Sequence, residues 1–186
     1  MKTAFTRERL LAIPLLLAGL GLAAGQACSA ALEVEVTLPD IASAAYHPPY
    51  LAAWIERADD KQSVAGTLAV WYDTRLRDNL GKIFLKELRT WWRKAGSTLA
   101  LPADGVSGPT RGAGVYLLRF SDRQELLAAL PEGKYLLAVE VAREQGGRTV
   151  LRVPFAWKGT DGITDAGRQD GGAGSELATL KVTAKP

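Results

Sequence analysis

The chain has 186 residues, of which 47% are apolar and 23% charged, with 23 basic against 20 acidic side chains. That balance supports a packed core and excludes a disordered polyelectrolyte. A single cysteine, Cys28, excludes an internal disulfide and a thiolate metal cage.

The first residues read as an export leader. Lys2, Arg7 and Arg9 form a positive region and Leu10 to Ala24 an apolar run. Ala27-Cys28-Ser29-Ala30-Ala31 follows as a small-residue cleavage stretch. These are the parts of a secretory signal peptide over residues 1–31. The apolar run of 15 residues is shorter than the ~20 that a spanning helix needs, so no stable membrane span is expected after cleavage between residues 27 and 31. Gly25-Gln26-Ala27 lacks the leucine of a lipobox before Cys28. The leader carries three basic residues and one acidic residue, so its loss nearly neutralises the mature domain. Nucleic acid is therefore not implied as a partner, and a periplasmic location is.

The remaining residues, 32–186, are expected to form one domain. Leu32 to Leu38 alternates apolar and polar residues, the period of a half-buried strand. Leu51 to Arg57 and Thr67 to Tyr72 form two more strands. The lone histidine, His47, stands before them between Tyr46 and Pro48, where a loop role is the plain reading and a metal site would need acidic partners from elsewhere. Asp59-Asp60 lies in a polar turn, where solvation is the plain reading.

Asn79 to Ala95 carries helical periodicity. Leu80, Ile83, Phe84, Leu88, Trp91 and Ala95 share one face, Asp78 is placed as N-cap, and Gly96 as the stop. Lys82, Lys86, Arg89 and Arg93 line the opposite face, with Trp92 at the border. A solvated face explains them. A stripe of one sign also attracts anions, so Lys82, Lys86, Arg89, Trp92 and Arg93 are a candidate surface for an anion or an acidic protein patch.

The segment Asp104-Gly105-Val106-Ser107-Gly108-Pro109-Thr110-Arg111-Gly112 reads as a long loop rich in glycine and hydroxyl residues, a composition that exposes backbone N–H groups to anions. Gly114 to Phe120 is the next strand. Ser121 to Leu130 reads as a short helix with Ser121 and Gln124 as a capping box. Tyr135 to Arg143 and Arg148 to Trp157 form a hairpin through Glu144-Gln145-Gly146-Gly147. Residues 159–175 hold six glycines and read as a flexible surface loop before a last strand, Glu176 to Thr183. Trp54, Trp71 and Trp157 fall on strands and are expected to be buried. Seven strands and one helix predict a mainly β fold, an immunoglobulin/fibronectin-like antiparallel β-sandwich with one inserted amphipathic α-helix.

Several segments recur in a known order: Leu51-Ala52-Ala53-Trp54-Ile55-Glu56, then Leu85-Lys86-Glu87-Leu88-Arg89-Thr90-Trp91-Trp92-Arg93, then Asp104 to Arg111, then Leu130-Pro131-Glu132-Gly133-Lys134-Tyr135 and Val139 to Glu144. Together they resemble the predicted periplasmic proteins of domain-of-unknown-function family 2271. Members look like single-domain exported proteins, often encoded near PepSY-type membrane proteins and flavin transferases. The resemblance implies a redox-linked setting and a membrane redox protein as a partner. It implies no enzymatic activity.

The 104–112 loop also resembles the motif at which exported flavoproteins carry covalent FMN. On that likeness Asp104, Ser107, Gly108, Thr110 and Arg111 are candidate cofactor residues, with Thr110 as the acceptor. Pro109 and Gly112 depart from the pattern, and a structural Gly-Pro turn explains the same residues. No nucleophile-elbow motif supports a hydrolase. The expectation is a non-enzymatic exported accessory or binding module, with an FMN carrier and a hydrolase as the alternatives.

Overall fold

The computed structural model describes residues 31–42, 46–59, 61–121, 125–164 and 167–185. The leader and Gln124 lie outside them. Ten strands are present. They are β1 (Ala31–Leu38), β2 (Tyr50–Arg57), β3 (Val64–Tyr72), β4 (Ser107–Pro109) and β5 (Gly114–Ser121). After these come β6 (Gly133–Ala142), β7 (Arg148–Trp157), β8 (Ile163–Thr164), β9 (Arg168–Asp170) and β10 (Thr179–Lys185). They make a four-stranded sheet in the order β5-β1-β10-β9 and a six-stranded sheet in the order β4-β3-β2-β6-β7-β8. All pairs are antiparallel except β3 with β4.

The two sheets share one core. The alternation of β1 points Leu32, Val34, Val36 and Leu38 inward against Leu51, Ala53 and Ile55 of β2 and Leu137, Val139 and Val141 of β6. β2 is buried along all but its last residue, because the six-stranded sheet is covered on both faces. Its second face carries Tyr50, Ala52 and Trp54, with Val70, Tyr72, Ala138 and Ala142 from its neighbours. Leu85, Leu88 and Trp91 of a helical layer close that side. The alanines leave space for the two indoles. Trp54, Trp71 and Trp157 are all buried, as their strand positions predict.

The helical layer differs from the single α-helix expected over 79–95. A 3-10 helix spans Arg77–Glu87, and an α-helix, α1, spans only Arg89–Lys94. Asp78 lies inside the first segment at φ 52°, so it is not the N-cap. With three residues per turn rather than 3.6, the inward face becomes Leu85, Leu88 and Trp91. Leu80 and Ile83, expected to pack, are instead 46% and 53% exposed. Gly81 shows the tight fit of this segment, since a Cβ there would stand 2.0 Å from the Asp73 carbonyl oxygen. Gly96 follows directly after the C-cap, Ala95, and backs onto the Trp91 ring.

Three further expectations are corrected. The 104–112 loop contains β4, whose parallel pairing with β3 extends the six-stranded sheet. The region 159–175 is not plain loop, because β8 pairs with β7 and β9 with β10. Ser121 ends β5 rather than capping a helix, and α2 covers only Glu125–Ala128.

Candidate functional site

The 3-10 helix and the start of β2 border a cleft of about 410 Å³. One wall is apolar: Leu76, Leu80, Ile83 and Phe84, of which the first three are exposed. The polar lining is His47, Tyr50, Asp73, Thr110 and Glu144. These come from four separate places in the chain, gathered at one end of the six-stranded sheet by the pairing of β2 with β3 and β6.

Polar geometry in the cleft favours donors. His47 Nδ1 lies 3.9 Å from Glu144 Oε2, beyond hydrogen-bond length. Asp73 Oδ1 accepts the Arg75 backbone N–H at 2.9 Å. Burial pushes the Tyr50 phenol above its usual range, and the negative charges of Asp73 and Glu144 push the same way, against a hydrogen bond at Asp73. Tyr50 therefore stays protonated, with its ring tilted against Phe84 at 6.1 Å. The cleft thus combines exposed aliphatic side chains with two carboxylates and a phenol. Among the described residues no three His, Cys, Asp or Glu side chains gather as a metal site.

The residues predicted from the 104–112 segment are dispersed. Asp104 and Gly105 border a different hollow with Thr67 and Glu125. The Ser107 hydroxyl accepts the Ala103 N–H at 3.0 Å. Gly108 lies against the Trp71 ring. Arg111 places its guanidinium 4.6 Å from the Trp71 ring centre and 5.1 Å from that of Tyr116, a cation–π pairing. Thr110 alone reaches the cleft.

The predicted basic surface is mostly brought together. Lys86, Arg89, Trp92 and Arg93 line a shallow depression of about 380 Å³, joined by Arg148 from β7. Lys82 is not part of it, since its Nζ donates to the Leu101 carbonyl. Two fully buried carboxylates tie α1 to the sheet, and the first also meets Arg148 of the depression. Glu140 of β6 accepts the backbone N–H groups of Thr90 (3.1 Å) and Trp91 (2.8 Å) at the start of α1, and a 2.8 Å bond from Arg148. Glu56 of β2 accepts from Trp54 (2.9 Å), Lys94 (2.7 Å) and Arg152 (2.9 Å).

Tyr50, Asp73, Glu144 and Arg148 were not singled out by sequence reasoning. Each belongs to a strand end or turn, and nothing local distinguishes it. His47, as a lone histidine, and Thr110, as the candidate acceptor, are the polar residues that the sequence marks and the cleft contains.

Two packed sheets and a helical layer on one of them define a mainly β protein with an open cleft at the edge of that layer. The chain belongs to the family described as predicted periplasmic protein (DUF2271), whose model matches residues 31–175. The periplasmic location that the leader implies agrees with that description, and among the described residues no helix is long and apolar enough to cross a membrane. No curated protein and no solved structure matches the chain significantly.

Proposed function

We propose that this protein is a non-catalytic periplasmic binding module on an immunoglobulin-like sandwich. Its ligand is a small amphipathic molecule with an apolar body and a donor-bearing or cationic end. One observation carries the reading: Leu80 and Ile83 expose large apolar surface in a cleft that Asp73 and Glu144 also line. Exposed aliphatic side chains gathered in a concavity with a few polar groups are the common form of a small-molecule site. The resemblance to proteins encoded beside PepSY-type proteins and flavin transferases supports a redox-linked accessory role.

Titration with the neutral amphipathic dye N-phenyl-1-naphthylamine tests the cleft. Saturable binding is expected, weakened about tenfold or more by Ile83→Lys in a variant that keeps the wild-type circular dichroism. Binding that never saturates, or that ignores the substitution, refutes the reading.

A second reading is an FMN-carrying electron-transfer domain, favoured by the position of Thr110 on the cleft wall. Asp73 and Glu144 oppose a phosphate there, which ranks it second. Co-expression with a flavin transferase followed by intact-mass measurement decides it. An FMN adduct lost in Thr110→Ala supports it, and an unmodified mass ends it.

A further inference from the structure

We infer that the depression around Trp92 is a second site, separate from the cleft, that takes acidic carbohydrate. A uronate ring would lie on the indole, with its carboxylate held by Lys86, Arg93 and Arg148.

The platform is pre-organised. Trp92 is half-buried and meets Trp91 edge-on, with ring centres 6.2 Å apart at 62°. Trp91 is itself fully buried and fixed by its indole N–H on Thr67 Oγ1 at 3.0 Å. The Trp92 ring therefore has a rigid backing while it lines the open depression.

The cations around it keep donors to offer. Arg148 uses Nη1 on both Glu140 and Thr90 and makes no other hydrogen bond among the described residues. Arg93 uses only Nε, on the Arg89 carbonyl at 3.1 Å. Lys86 is exposed and has no acidic partner among the described residues. Against four cations stand Glu87, 3.7 Å from Arg89, and the buried Glu140, so the depression stays net positive. Guanidinium forks with free terminal N–H groups match a carboxylate.

The mixture of features selects among anions. A bare phosphate would use the cations and leave the indole idle. A bilayer would need the aromatic at a protruding tip, whereas Trp92 is half-buried and Glu87 adds a negative charge at Arg89. A sugar ring presents a C–H face to the indole and an equatorial carboxylate to the surrounding cations, so it uses both.

The test is calorimetric titration of the mature protein with tetragalacturonate, its methyl-esterified counterpart, inorganic pyrophosphate and phosphatidylglycerol vesicles. Saturable binding of tetragalacturonate is expected, weaker as salt rises, with no binding of the ester. Lys86→Glu/Arg93→Glu and Trp92→Leu should each lower the affinity about tenfold or more. Both variants should keep the wild-type circular dichroism and dye binding at the cleft, so failure of one site does not read as failure of the other. The inference is overturned if tetragalacturonate does not bind or if pyrophosphate binds as tightly. It is equally overturned if only vesicles bind or if affinity survives Trp92→Leu.

Discussion

Glu56 is a fully buried carboxylate that stays charged. Burial alone would raise its pKa, but hydrogen bonds from Arg152, Lys94 and Trp54, with the added attraction of Arg152, outweigh burial and hold it below the ordinary 4.5. A carboxylate whose folded pKa is depressed contributes stability that is present above the ordinary value. That contribution is lost as pH falls through the folded one. Urea unfolding of wild type and Glu56→Gln should therefore differ by about 2 kcal/mol near neutral pH. The gap should narrow as pH drops below 4.5. A gap independent of pH would mean that the carboxylate charge is not what matters. Arg111, by contrast, is an exposed cation whose guanidinium lies against the Trp71 and Tyr116 rings.

At the scale of an element, α1 is too short to persist alone, since six residues barely exceed the costly nucleus of a helix. It is held at both ends by the sheet beneath. Glu140 satisfies two N-terminal amides that no residue of α1 caps, and Lys94 in the last turn reaches Glu56. Glu140→Ala removes the acceptor of both amides and leaves Arg148 only the Thr90 hydroxyl. The expected cost is about 2–4 kcal/mol, read as a lowered urea midpoint with an unchanged denaturant slope. Glu140→Gln, which keeps an acceptor, should lose less. A neutral Glu140→Ala would show that water replaces the carboxylate at no cost.

The elements also show what could be read from the sequence. The seven long strands were visible because alternation or β-branched runs mark a sheet face. The helical layer was half legible. Its apolar residues stand out, but a 3.6-residue period places Leu80 and Ile83 in the core, whereas the 3-10 turn leaves both exposed. β9, Arg168-Gln169-Asp170, is exposed throughout and carries no apolar signal at all. In the cleft, His47 was legible as unusual. Asp73 and Glu144 were not, because only the long-range pairing of β2 with β3 and β6 brings them near it. The basic depression was nearer to legible, since four of its five side chains lie within one stretch, and only Arg148 arrives from another strand.

Over the whole molecule, the six-stranded sheet is the common floor. The core lies on one side and the helical layer on the other, so β2 and β6 have almost no exposed residue between Tyr50 and Glu56 or between Leu137 and Ala142. The cleft and the basic depression sit at different places on the same covering layer. The attachment of that layer is uneven. α1 is locked by two buried carboxylates, whereas the preceding 3-10 helix is held by Leu85, by Gly81 against the Asp73 carbonyl and by Phe84 beside the Tyr50 ring, and leaves Leu80 and Ile83 outward. The aliphatic lining of the proposed binding cleft and the strand ends that carry Tyr50 and Asp73 are therefore tied together, so a side chain added at Gly81 should disturb the cleft without replacing any residue that lines it.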